Sequence, residues 1–358
     1  MDMKLLVPFM AEFDEFLEDP TLFLNRIHLS KGVVEFMSAD RAAIADETFL
    51  NDHAQRKTGI WARRKTAPLK GLLEAFARKK MRAPDGFIFH TAMAGSTLLA
   101  RCLDVPGKCL SIKEPQALGD LINARRLGEA KGITQAQWKA LIRFAGCVLA
   151  KTAAVDERVV IKVSNKANAL AGEIHSAFPE ARILLLYSAL QPFMISMLKR
   201  GQPSWEYCRN LLKALFADAG GADQKTLWNA LEYTDLQIAP LVWHLQFDNL
   251  AAFQAQTSPA RVRSLDCEEF FGAPAETLAR LAAFFCVPFD RALIEDIIER
   301  EVRGRHAKDP NRAFSPEARA LEHAQAAEKF QSELAFVSSF CRKIRPDITG
   351  PRILGGAL

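Results

Sequence analysis

The sequence predicts an α/β fold: a parallel sheet flanked by helices in three layers, preceded by an N-terminal extension. Three observations carry this expectation. Gly86–His90, Arg158–Val163 and Arg182–Tyr187 are short apolar runs, the pattern of strands buried on both faces. Each run leads into helical periodicity. The intervals between runs suit the helical crossovers that parallel strands require.

Taken in order, residues 1–84 read as an extension of mixed structure. Pro20–Leu29 and Gly32–Met37 alternate like a strand pair, and Leu69–Lys80 has the spacing of an amphipathic helix that ends in a basic cluster. The α/β domain is expected over 85–345. It opens with the strand Gly86–His90, and Cys109 begins a second strand that ends at Glu114-Pro115, because a proline cannot continue a hydrogen-bonded ladder. Residues 204–258 read as helical, with Trp205, Trp228 and Trp243 expected in the core. A further strand, Arg261–Leu265, has a helix pair behind it, and Gly304–Pro316 reads as a basic, proline-containing loop. Residues 346–358 form a tail, and no repeat or low-complexity linker interrupts the domain.

Composition narrows the function classes. Forty-seven Lys and Arg against 42 Asp and Glu leave a net charge of +5 over 358 residues, too dilute for a nucleic-acid surface. Seven cysteines without Cys-x-x-Cys spacing read as reduced thiols rather than disulfides or zinc ligands. The acidic start lacks a signal-peptide n-region, and no apolar run reaches membrane-span length. A cytoplasmic protein without a metal is expected. The histidines show no metal spacing, and G-x-S-x-G is absent.

The stretch Phe87–Arg101, F-I-F-H-T-A-M-A-G-S-T-L-L-A-R, passes from strand through small residues into a helix at Ser96. Such a turn aims backbone N–H groups and a helix N-terminus at one point, as phosphate and sulfate sites do. No Gly-Lys-Ser/Thr follows, so it is not a Walker A loop. Tight packing alone is the plainer reading of the same residues.

This stretch resembles the 5′-phosphosulfate loop of bacterial sulfotransferases, G-x-P-R-S-G-T-T-L-L, with Gly95, Ser96, Thr97, Leu98 and Leu99 on G-T-T-L-L and Met93 at the cationic position. The segment Arg158–Arg200 is similar to the family's order of strand–Lys–helix–F-P-D-A-R–strand–helix–Ser, with Phe178–Arg182 as F-P-E-A-R. The resemblance covers roughly residues 86–312 and implies the P-loop NTPase-like sulfotransferase fold. It implies that 3′-phosphoadenosine 5′-phosphosulfate is the donor, held by Ala94, Gly95, Ser96 and Thr97 and, at the 3′-phosphate, by Ser196. Ser188 stands where the family has an arginine on that phosphate. The basic cluster Arg303, Arg305, His306, Lys308 and Arg312 resembles the family's closing loop, which places Arg305 and Lys308 among the donor contacts.

Sulfuryl transfer also needs a base for the acceptor proton and a cation against developing charge. The resemblance assigns Glu114 as base and Lys162 as cation; His90, which ends the first strand right before the loop, reads from its own position as a positioning donor. From the residues alone, a surface or ion-paired glutamate is the default reading of Glu114, and Lys162 reads equally as a lysine whose stem lies along a strand end. Asp266 and Glu268 receive no chemical role. The expected activity is sulfuryl transfer to a hydroxyl or amine of a small-molecule or peptidyl acceptor. A catalytically degenerate nucleotide- or partner-binding protein of the same fold, and a nucleotide-dependent kinase, remain as alternatives.

Overall fold

The computed structural model describes residues 13–50, 63–218, 230, 232–304 and 315–358. The chain divides into two compact units. Unit 1 takes 1–88, 103–183 and 282–288; unit 2 takes 89–102, 184–281 and 289–358.

In unit 1 the extension folds as an antiparallel meander of β1 (Leu22–His28), β2 (Val33–Ser38) and β3 (Arg64–Pro68). The β1–β2 turn closes at Gly32, whose φ of 62° is one that glycine adopts without steric cost. Strand β3 departs from the expectation: its mostly exposed residues show no apolar alternation, and antiparallel pairing with β2 places it. The meander is pinned by Asp120, on the helix Gln116–Arg126, whose carboxylate accepts from Arg26 Nε at 2.8 Å and from the Ile27 N–H at 2.9 Å.

The second sheet holds β4 (Gly86–His90), β5 (Cys109–Lys113), β6 (Arg158–Lys162), β7 (Arg182–Tyr187) and β8 (Val262–Asp266), ordered β5-β6-β4-β7-β8. Both β4 and β5 pair with β6 in parallel, and β4 and β5 are buried along their whole length. Apolar runs without alternation are what a sheet covered on both faces requires. Helices occupy the connections, so the α/β architecture is as the sequence predicts. One connecting helix, Gln135–Ala150, starts at a capping box in which Thr134 and Gln137 satisfy each other's backbone N–H groups.

Residues 202–218 and 235–254 of unit 2 are helical, as expected. Trp243 is buried, but Trp205 is only half-buried, because the buried stripe of its helix runs through Ser204, Cys208, Leu211, Leu212 and Leu215. Trp228 lies outside the described residues. No helix among the described residues is long and apolar enough to cross a membrane.

Candidate functional site

The candidate residues fall into two groups, one in each unit. In unit 2, β4 runs into a turn at 91–95 and then into the helix Ser96–Leu103. Strand pairing continues one residue past His90, since the Thr91 N–H donates to the Leu186 carbonyl at 3.0 Å. Gln246, wholly buried, then accepts from the Ala92 N–H at 3.0 Å. Met93 and Gly95 are both left-handed, with φ of 59° and 69°, and between them they reverse the chain. A Cβ on Gly95 would also lie 3.0 Å from the Phe271 ring, so the position favours glycine on two counts.

The first helical bond runs from the Leu99 N–H to the Gly95 carbonyl at 3.2 Å. The amides of residues 96–98 therefore precede the helical ladder and have no acceptor within it. Ser96 and Thr97 are only 6% and 4% exposed, yet their hydroxyls have no hydrogen-bond partner among the described residues. A cradle of amides and unpaired hydroxyls matches the acceptor-rich surface of a sulfuryl or phosphoryl group. His90 is buried, and its Nδ1–H donates to the Thr91 carbonyl at 2.9 Å, which ties the ring to the turn.

Ser188 follows β7 and is built into the support of this turn. Its N–H donates to Thr91 Oγ1 at 3.2 Å, its carbonyl accepts from Trp243 Nε1 at 2.8 Å, and its hydroxyl donates to the Ala189 carbonyl at 3.2 Å. Ser196 sits half-buried on the helix Leu190–Arg200, with no hydroxyl partner among the described residues. Arg303 is exposed and pairs with Glu299. Arg305, His306, Lys308 and Arg312 lie outside the described residues.

In unit 1, Glu114 directly follows β5 and Lys162 ends β6. The Glu114 N–H donates to the Lys162 carbonyl at 2.7 Å, and Lys162 Nζ donates to Glu114 Oε1. Lys162 is fully buried; burial, only partly offset by the Glu114 charge, holds its ammonium below the usual lysine range. Its Nζ also lies 5.4 Å from the centre of the Phe49 ring. Glu114 is left-handed, with φ of 54°, a strained state for a side chain with a Cβ that costs about 1–3 kcal/mol.

The extension encloses this pair. The Leu50 N–H donates to the Lys113 carbonyl at 2.8 Å, and the Leu50 carbonyl accepts from the Gln116 N–H at 3.2 Å, so residue 50 spans the Glu114-Pro115 step. Lys113 turns away into its own buried network, giving Nζ to the Ala45 carbonyl and to Asp104 at 3.4 Å.

Sequence reasoning missed Gln246, Phe49 and Arg319. The helix around Gln246 is apolar on most sides, so nothing in its pattern marks one glutamine. Phe49 lies in the extension, where no motif is visible. Arg319, on the helix Pro316–Lys329, stacks 4.0 Å above the centre of the Phe271 ring and grips Glu268 at 2.9 and 2.6 Å. Burial pushes the Glu268 carboxyl up, but Arg319 outweighs it and holds the group below its ordinary range. Asp266 accounts for the neighbouring acidic pattern: it caps the helix Cys267–Gly272 by accepting from the Glu268 N–H at 3.0 Å. Among the described residues, no His, Cys, Asp and Glu side chains group to hold a metal ion.

No protein-family model matches the sequence, and no curated protein matches it. Among solved structures, the chain is similar to the sulfotransferase domain of the curacin biosynthetic pathway, with 16% identity and a TM-score of 0.44 over 70% of this chain and 99% of that one. It is similar to a sulfotransferase from Mycobacterium avium, with 11% identity and a TM-score of 0.39 over 73% of this chain and 82% of the other. A sulfotransferase from Alicyclobacillus acidocaldarius shows 14% identity and a TM-score of 0.35, over 74% and 96% of the two chains.

Proposed function

We propose that the chain is a sulfotransferase-like enzyme that transfers a sulfuryl group from phosphoadenosine phosphosulfate to a hydroxyl or amine. The observation that carries this reading is the Glu114–Lys162 pair: the carboxylate of a left-handed residue in contact with a wholly buried ammonium, each at the C-terminal end of a parallel strand. Those ends face the ligand crevice in open α/β sheets. Ion pairs kept only for stability have no need of a left-handed glutamate, and such outliers cluster where geometry serves chemistry.

The donor supplies a sulfuryl group joined through a bridging oxygen to a phosphate. Glu114 takes the acceptor's proton as the acceptor bonds to sulfur. Lys162 stabilises negative charge on the bridging oxygen as its bond to sulfur breaks. The Gly95–Thr97 amides with the Ser96 and Thr97 hydroxyls seat the anionic group, and Ser196 donates to the 3′-phosphate. Ser188 and His90 shape the turn, while Arg305 and Lys308 carry no part of this assignment.

A second reading, a binding protein without turnover, is favoured by one observation. Met93 and Ser188 supply no charge where the resemblance places cations, and each charge-assisted contact is worth about 1.5–3 kcal/mol. Glu114→Gln separates the two readings. Sulfuryl transfer should fall at least a hundredfold, within the ~10²–10⁴ that general bases contribute, with adenosine 3′,5′-bisphosphate binding kept. Equal loss of both would mark a structural glutamate.

A further inference from the structure

Among the described residues the cradle in unit 2 has hydroxyls and amides but no cation in the 91–97 turn itself, and the Arg319 guanidinium stands a single ring away. Phe271 has its edge against Gly95, where a Cβ would meet ring atoms at 3.0 Å. The Arg319 guanidinium lies on the face of that same ring, 4.0 Å from its centre. Arg319 is largely buried, at 14% side-chain exposure, while its carboxylate partner Glu268 is 41% exposed. An arginine stacked on a phenyl ring keeps its donor fork oriented, and a guanidinium bonds carboxylate, sulfate and phosphate oxygens in the same bidentate manner. The helix bearing Arg319 is tied to the helix bearing Ser196 through the Lys199–Glu322 pair, so both residues share one support.

Resting on the reading above, we propose that Arg319 is the cation of the 91–97 turn, and that Glu268 occupies it when no anion is present. A sulfuryl or phosphoryl group on the Gly95–Thr97 amides competes with Glu268 for the guanidinium. Phe271 holds the guanidinium plane in place during the exchange, and the half-exposed Glu268 returns to water. Ser96 and Thr97 add a second sign of a ligand at this turn: each residue is more than nine-tenths buried, and among the described residues no hydrogen bond ties up either hydroxyl. In this arrangement the charge absent at Met93 comes from a helix more than 200 residues further along the chain.

Titration calorimetry with adenosine 3′,5′-bisphosphate and with inorganic sulfate tests this on three variants whose folding is checked by thermal melting. Arg319→Ala should weaken both ligands about tenfold or more, which corresponds to about 1.4 kcal/mol. Arg319→Lys should fall between Arg319→Ala and the unsubstituted chain. Glu268→Gln should tighten both ligands several-fold, because it removes the competitor and leaves the cation. A purely structural pair predicts the opposite for the last variant, with Glu268→Gln and Arg319→Ala weakening binding together or leaving it unchanged. If the unsubstituted chain binds the bisphosphate and Arg319→Ala binds it equally, the assignment of Arg319 is overturned and the reading of the turn stands. If the unsubstituted chain binds neither ligand, both are overturned.

Discussion

In unit 1 the Glu114–Lys162 pair is charged and locked together, whereas in unit 2 the 91–97 turn is supported by neutral groups. Glu114 and Lys162 share a backbone bond, a side-chain bond and nearly complete burial. The 91–97 turn is instead held by Gln246, Thr91 and the Trp243–Ser188 contact, all uncharged. Buried opposite charges must be paired to be tolerated, which makes the unit 1 pair rigid. A neutral turn has no such requirement, and two of its hydroxyls, on Ser96 and Thr97, have no hydrogen-bond partner among the described residues. One unit therefore fixes its geometry through charge; the other keeps hydrogen-bonding capacity in reserve.

Breaking the pair on one side gives the largest expected effect on stability. Lys162→Met strands Glu114 beside an apolar side chain, and removing one partner of a buried pair costs about 3–5 kcal/mol. Chemical denaturation of Lys162→Met alone and of Lys162→Met with Glu114→Gln checks this. The double variant should recover much of the loss; equal instability of the two would mean that the charges are well solvated.

The neutral support of unit 2 should respond less. Gln246→Leu takes the acceptor from the Ala92 N–H, and an unsatisfied buried donor costs about 1–3 kcal/mol. The same denaturation series reads the global cost, and hydrogen exchange at Ala92 should rise by a larger factor than exchange at Ile161. Uniform acceleration at both would show that Gln246 supports the whole molecule rather than the turn.

A further effect, absent near neutral pH and growing toward either extreme, separates the units by pH. His244 in unit 2 is held down to about 4 by burial and then by Arg352, below its ordinary 6.5. The unfolded chain therefore binds a proton that the folded chain refuses, so this contribution is complete above about 6.5 and is lost as pH falls toward 4. Lys151 in unit 1 is lowered to about 8 by burial, from 10.5. Between those values the unfolded chain again holds more protons, so stability rises with pH from about 8 to 10.5. Melting temperatures across pH should show both slopes, with His244→Gln flattening the acidic one and Lys151→Met the basic one. A variant that flattens the other window would contradict the assignment.

Much of this contrast was written in local sequence. The sheet strands were legible because burial on both faces leaves uninterrupted apolar runs, and Glu114 was legible as a strand end because Pro115 stops the ladder. The turn at 91–97 was visible from small residues before an amphipathic helix. What stayed hidden depends on distant partners. Arg319 lies on a helix whose polar pattern is ordinary, and its meaning comes from Phe271 and Glu268, about 50 residues earlier. Gln246 is one polar residue on a mostly apolar helix. Strand β3 has no apolar period and exists through its pairing with β2. Ser188 stands where the resemblance places a phosphate contact, and its bonds to Thr91, Ala189 and Trp243, invisible in the sequence, tie it into the support of the turn.

The most direct test is calorimetric titration of the unsubstituted chain with adenosine 3′,5′-bisphosphate and, separately, with ATP. A cradle that lacks the Walker lysine should bind the bisphosphate and give no heat with ATP. Binding of ATP in preference to the bisphosphate would contradict the sulfotransferase reading and point to a nucleotide-dependent enzyme of another kind. Binding of neither would leave the 91–97 turn as packing alone.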